Sequence, residues 1–323
     1  MDKIIVILGQ TASGKTALSI KLAKKYNGEI VSADSRQVYK GLDVGSGKIT
    51  RKEMQGVPHY LLDVANPKRK FTVAQYQKLA LKAIKNIQKK NKLPILVGGT
   101  GFYIQSIVDG IIIPEVKPNW DLRKKLEKKS NEQLYQMLLK KDPRRAKSID
   151  KNNPHRLIRA LEIVLTTGKP VPSLRRHCEE KSDEAIPQDC FATARNDELE
   201  ILQIGIKKSP EELKKLIEKR LLKRLKPARN ASHSDAGGNN AMINEVKKLH
   251  KSLSWKRLEE FGLEYRFVAQ YLQNKIPYQE MVEKIQIESE HYAKRQMTWF
   301  KRDKKINWLS NFKEAEKLVK KFI

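Results

Sequence analysis

Cysteine is scarce: Cys178 and Cys190 are the only two in 323 residues. Two thiols cannot staple a chain of this length, so a disulfide scaffold is excluded and a reducing cytoplasm is the expected compartment. With His177 they match no common zinc-site spacing. Long hydrophobic runs are missing too. The run at residues 4–8 is five residues long and leads into a glycine-rich turn with no cleavage site, too short for a secretory signal. Nothing approaches the roughly 18 apolar residues that a spanning helix needs, so a soluble protein without membrane contact is expected. Acidic residues are few: 37 Asp and Glu face 66 Lys and Arg, a formal charge of +29. Excess charge of one sign opposes compaction. It points to a polyanionic partner, nucleic acid first. The plainer reading is compositional bias, because Lys and Ile are abundant almost everywhere.

What is present is organised. Residues 4–8 read as a buried strand, being short, continuous, β-branched and closed by glycine. Residues 15–25 read as a helix with Leu18 and Leu22 on one face, and 28–35 as a second strand ending in polar residues. Residues 71–91 carry Tyr76, Leu79, Ala83 and Ile87 at helical spacing, and 93–100 read as another buried strand. Strands alternating with helices predict an α/β fold with a parallel sheet covered on both faces. After residue 114 the pattern becomes helical. Residues 153–168 place Leu157, Ala160, Leu161 and Val164 on one face, with Pro154 opening the helix and Gly168 closing it.

These shifts divide the chain into a catalytic core at 1–114 and 199–323 with C-terminal helices, and an inserted helical domain at 115–173. Two segments look foreign. Residues 174–198 hold both cysteines and a cluster of acidic residues, and 226–240 interrupt a Leu/Lys-rich helix (211–225) that resumes at Met242. Both are expected to be exposed, disordered insertions. A basic, aromatic helix at 288–303 places Lys294, Arg295 and Trp299 either on RNA backbone or, for Trp299, in the core.

The chemistry starts at VILGQTASGKTAL, residues 6–18. Gly9, Gly14, Lys15 and Thr16 fill the spacing G-x-x-x-x-G-K-[ST]. Such a loop curls backbone N–H groups around an anion at a helix N-terminus; the lysine adds charge and the Thr16 hydroxyl is offered to Mg²⁺. It follows a strand and precedes a helix, as that mechanism requires. A nucleoside triphosphatase normally adds a strand ending in Asp, yet the strand at 94–99 ends in two glycines. The acid lies instead at Asp34, beyond the second strand. The carboxyl ends of parallel strands open onto the ligand crevice, so Asp34 is expected to face the loop and to take a proton from an acceptor, or more plainly to cap the following turn. Two classes fit: a small-molecule or nucleoside kinase, and a transferase whose loop grips a diphosphate leaving group.

The strings GQTASGKT, SADSRQVYKGLDVGSGK, PHYLLDV, LVGGTGFYI, NNPHRLIRALE, GLEYR and KRQMTWF occur in that order. Together they closely resemble the tRNA dimethylallyltransferase family, from about residue 3 to about residue 310. The resemblance implies a P-loop NTPase-like core with an inserted helical tRNA-binding domain. It also implies transfer of a dimethylallyl group from its diphosphate to the N6 amine of the adenosine 3′ of the anticodon, in tRNAs reading codons that begin with U. Mg²⁺ is the implied cofactor, dimethylallyl diphosphate and the tRNA anticodon stem-loop the implied partners. Family members carry a nucleotide-binding, ATP-binding label for the loop, whose ligand is the prenyl diphosphate. A cytoplasmic monomer is expected.

Residue by residue, the resemblance assigns the diphosphate to Gly9, Gln10, Thr11, Ala12, Ser13, Gly14, Lys15, Thr16 and Arg220. Asp34, Thr11 and Lys15 fall at the reacting centre. Asp34, Ser35, Arg36, Gln37 and Thr100 match tRNA-contacting positions, as do His155, Arg156, Leu157, Ile158 and Arg159 on the inserted domain, and Tyr265 with Arg266 near the C-terminus. The family often has Pro where this chain has Gln10, and Gly where it has Glu264.

Overall fold

The computed structural model describes residues 2–111, 113–114, 116–171, 199–225, 240–309 and 311–323. The expected insertion at 174–198 lies outside the described residues, as does all of 226–240 except Asn240. The described chain divides into two compact units, Met1–Val108 with Arg195–Ile323, and Asp109–Ala194.

The first unit is built on a parallel sheet. Its strands are β1 (Asp2–Gly9), β2 (Gly28–Ala33), β3 (His59–Tyr60), β4 (Leu93–Gly98), β5 (Leu199–Ile206) and β6 (Asn307–Leu309), in the order β3-β2-β4-β1-β5-β6. β1 lies at the middle, paired with β4 and β5 along its length. Its unbroken apolar run follows from that place. Ile4, Val6 and Leu8 point into one core with Tyr76, Ile84 and Ile87. Ile5 and Ile7 point into the other with Leu18, Leu22 and Val319. All five are essentially free of solvent, each contributing about 1.5–3 kcal/mol. β3 and β6, two and three residues long at the sheet edges, are too short for periodicity to reveal.

Helices cover both faces. Lys15–Lys25 follows the glycine-rich turn. Val73–Gln88 opens with a capping box in which Thr72 and Gln75 exchange hydrogen bonds. Its inner face is Tyr76, Ala80, Ala83, Ile84 and Ile87. Leu79, expected there, is instead exposed, because Ala80 one step on faces the sheet. The Leu/Lys-rich segment is two helices, Pro210–Leu225 and Ala241–His250. Asn240 caps the second through Met242 and Ile243 N–H and donates Nδ2 to Leu225 O at 2.8 Å. Asn240 therefore belongs to the helix and not to the insertion. The long helix Tyr278–Phe300 crosses the unit before β6 and the closing helix Phe312–Phe322.

The second unit is helical, and its core joins Leu126, Leu134, Leu138, Leu157, Leu161 and Val164. The helix Pro154–Thr167 starts with proline in its first turn and the Asn153 side chain capping Arg156 N–H; it ends at Gly168 with φ 67°, in the left-handed region that glycine tolerates. Glu162 is fully buried inside this unit, held by Arg123, Arg159 and the Asn119 N–H. Burial opposes its ionisation, but these donors outweigh it and bring the carboxyl down to about 2.

Candidate active site

β1 ends at Gly9, whose φ is 142° and whose added Cβ would sit 2.6 Å from Ile206 O. A side chain there would drive β5 away, so the turn that follows depends on glycine. The turn then passes through Ala12 and Gly14, both at positive φ, before the helix begins at Lys15. Its walls form a cavity of about 680 Å³. Thr11, Ala12, Ser13, Gly14, Lys15 and Thr16 line it, as do Asp34, Ser35, Arg36 and Gln37 from the end of β2, and Arg220 and Arg266 from the C-terminal helices. Gly9, Gln10, Thr100 and Tyr265 are not among the lining residues.

Positive charge converges at the turn. Lys15 Nζ donates to Gln10 O at 2.5 Å. Burial and then the Arg220 charge lower its ammonium to about 7, with Asp34 pulling the other way. Arg220 donates Nη1 to Thr11 Oγ1 and Nη2 to Gly47 O, each at 3.2 Å. Its guanidinium is held down by burial and by neighbouring Arg224. Two partly buried cations that destabilise each other suit a polyanion, which would relieve both.

Asp34 caps the turn after β2 and lines the cavity. Oδ1 accepts from Arg36 N–H at 2.8 Å and Gln37 N–H at 3.2 Å, which caps the turn. Oδ1 thus fixes the side chain, and among the described residues no hydrogen bond engages Oδ2. Thr100 braces the same turn: its N–H donates to Ala33 O and its Oγ1 accepts from Ser35 N–H at 3.0 Å.

Other expected contacts are placed differently. Tyr265 is 1% exposed; its hydroxyl donates to Glu245 and accepts from Ser46 N–H. It does not reach solvent, because burial of its ring completes the core with Phe261. Leu157 and Ile158 likewise belong to the core of the helical unit, being the apolar side of an amphipathic helix. Their side chains are buried in that core. His155 and Arg156 are exposed on that helix, while Arg159 is committed to Glu162 and Val116 O. Trp299 packs over Gly101, where an added Cβ would lie 2.3 Å from its ring, in keeping with the core reading.

Several residues were not legible from sequence. Glu245 accepts from the N–H groups of Asp43, Val44 and Gly45 and so shapes the loop whose Gly47 carbonyl receives Arg220. Glu264 is ion-paired with Arg224 at 2.7 Å, which accounts for a carboxylate where the family often has Gly: it neutralises a partly buried guanidinium. Gln296 and Tyr292 reach the site from the helix Tyr278–Phe300. One helical turn apart, they had a usable spacing, but only the fold aims that face at the turn.

The oxygen donors at hand suit a hard divalent cation. Thr16 and Asp34 share the cavity, yet among the described residues no group of three His, Cys, Asp or Glu could hold a metal. Such a site would take Mg²⁺ largely through phosphate oxygens of a bound donor.

Comparison with known proteins gives one answer. The IPP transferase family model matches residues 37–303. A tRNA dimethylallyltransferase of Halothermothrix orenii is 38% identical over 312 residues, covering 95% of this chain and 87% of its own. A tRNA dimethylallyltransferase 1 of Syntrophus aciditrophicus is 40% identical over 306 residues, covering 94% and 90%. Among solved structures, the tRNA isopentenylpyrophosphate transferase of Bacillus halodurans aligns with TM-score 0.66 at 31% identity, covering 100% of this chain and 95% of its own. A eukaryotic dimethylallyltransferase described as acting on tRNA aligns with TM-score 0.71 at 25% identity, covering 96% and 74%.

Proposed function

The chain belongs to the IPP transferase family, and from that premise we propose how its cavity transfers a dimethylallyl group from dimethylallyl diphosphate to the N6 amine of the adenosine 3′ of the anticodon in tRNA. The observation that carries the assignment is one cavity holding both a diphosphate-type turn and the Asp34 carboxylate. The relatives are prenyl transferases, which favours this reading over a kinase.

The donor's diphosphate lies along the turn, against the N-terminus of the helix Lys15–Lys25, with Lys15 and Arg220 on its oxygens. Charge grows on those oxygens as the allylic carbon–oxygen bond breaks, so donors aimed there lower the barrier by about 3–4 kcal/mol each. The Thr16 hydroxyl would hold Mg²⁺, which would supply neutralising charge to the departing diphosphate. The adenine amine is a poor nucleophile because its lone pair is delocalised into the ring. Asp34 Oδ2 takes its proton as the new carbon–nitrogen bond forms, a contribution of about 10²–10⁴-fold. Ser35, Arg36, Gln37 and Arg266 receive the extruded nucleotide, whose unstacking from a single-stranded loop costs only about a few kcal/mol. His155 and Arg156 on the helical unit contact the stem-loop. The enzyme works as a monomer in the cytoplasm, where its acceptor is found.

The test is transfer of radiolabelled prenyl diphosphate to total tRNA. The wild-type chain labels tRNA; Asp34→Ala loses about 10²–10⁴-fold in label while still binding tRNA. ATP consumption without labelled tRNA would support a kinase instead.

A further inference from the structure

One buried side chain links the two halves of the cavity. Gln296 is 6% exposed. Its Oε1 accepts from Thr11 N–H at 2.7 Å, on the diphosphate side. Its Nε2 donates to Gly99 O at 2.8 Å, at the end of β4. The next residue, Thr100, holds Ser35 N–H through Oγ1 at 3.0 Å, directly beside Asp34. Tyr292, one helical turn before Gln296, lines the same cavity. A second tie runs from the same helix: Gln10 Nε2 donates to Ala293 O at 3.4 Å.

Both of the strong Gln296 bonds go to backbone groups. The side chain therefore fixes where the main chain lies, on the donor turn and on the strand that braces the acceptor carboxylate. Gln296 also lines the cavity without carrying a charge or a titratable proton. The fit is tight, for a Cβ added at Gly99 would lie 2.2 Å from Gln296 Nε2. Glycine at 99 is thus the space into which the amide fits.

We propose that Gln296 is a positioning residue for prenyl transfer, fixing the separation between the diphosphate turn at Thr11 and the Asp34 carboxylate through its paired bonds to Thr11 N–H and Gly99 O. This rests on the functional reading above. Its consequence is specific. Losing the link leaves each substrate's own contacts in place but loosens their alignment, and a misplacement of about 1 Å can cost about 10²-fold in rate. The allylic group, poorly aimed at the amine, is then captured by water: the carbon–oxygen bond to diphosphate breaks, a water oxygen forms the new bond, and its proton passes to solvent, releasing dimethylallyl alcohol.

The experiment uses the full-length chain with tRNA, Mg²⁺ and labelled dimethylallyl diphosphate. It compares wild type, Gln296→Ala, Gly99→Ala and the double variant. Gln296→Ala is expected to lower kcat about 10–100-fold, with donor and tRNA Kd changed less than about threefold, and to raise the ratio of diphosphate released to tRNA labelled. Gly99→Ala, which keeps glutamine but displaces its amide, is expected to reproduce that pattern. It also keeps the proposal testable should Gln296→Ala fail to fold. In the double variant the new methyl occupies the vacated space, so its kcat should match Gln296→Ala alone and not fall multiplicatively. Unchanged kcat in Gln296→Ala, a loss residing in donor Kd, or additive effects in the double variant would overturn the positioning role and leave the functional reading standing. A wild-type chain that labels no tRNA overturns the functional reading itself, and this role with it.

Discussion

Lys15 shows how a functional residue can oppose stability. Burial and Arg220 lower its ammonium to about 7, while in an unfolded chain it titrates near 10.4. Below pH 7 the folded protein carries the full penalty of a partly buried, crowded cation. Between about 7 and 10 the unfolded chain binds the extra proton, so this group's effect on stability becomes less unfavourable as pH rises. A diphosphate reverses the preference, because it favours the charged lysine. Donor binding at pH 8.5 should therefore take up close to one proton, and at pH 6 almost none from this group. Calorimetric titrations in two buffers of different ionisation heat measure the uptake. Lys15→Met should abolish it and raise the melting temperature of the unliganded protein. An uptake identical in both chains would mean another group titrates.

Elements carry two further expectations. In the helical unit, Glu162 is the buried partner of Arg123 and Arg159. Its lowered carboxyl stabilises the fold above about pH 4.5, and that contribution is lost as pH falls toward 2. Glu162→Gln should destabilise the protein by about 1–3 kcal/mol at pH 7, with the gap to wild type closing at low pH in paired thermal melts. The second case is the pair of helices Pro210–Leu225 and Ala241–His250. Asn240 Nδ2 reaches Leu225 O at 2.8 Å, so the chain leaves and returns at one point. Replacing residues 226–239 by a short Gly/Ser linker should leave the melting temperature within about 2 °C and prenyl transfer intact. Loop length itself costs little, while Asn240→Ala, which removes the cap, should cost about 1 kcal/mol.

At the scale of the whole molecule, the charge of +29 fits an acceptor that is a polyanion. If basic residues on both units contact tRNA phosphates, binding releases counterions and affinity falls steeply with salt. A plot of log Kd against log salt for the anticodon stem-loop should have a slope of several units. Arg156→Ala and Arg266→Ala should each flatten it by about one. A flat dependence would assign the charge to compositional bias alone. Among the described residues no helix is long and apolar enough to cross a membrane.

Much of this was written locally. The strand at β1, the turn with Gly14, Lys15 and Thr16, the helix Lys15–Lys25, and the Pro154 and Gly168 ends of the helix Pro154–Thr167 depend on near neighbours, where φ restriction, capping and apolar alternation act. Sequence therefore determined the α/β class, the diphosphate-type turn and the candidate acid. It also carried the family strings from which the reaction follows. It could not say which polar residue of a helix faces a site. Gln296, Tyr292 and Glu245 stand 285, 281 and 234 positions after Thr11 in the numbering, and packing of the C-terminal helices alone brings Gln296 to the turn. Nor could it separate Leu157, Ile158 and Tyr265 from true surface contacts, because a matching string does not reveal which side chains the core absorbs. Those decisions belong to the tertiary structure, since burial and hydrogen bonding across hundreds of residues are settled only when the whole chain has packed.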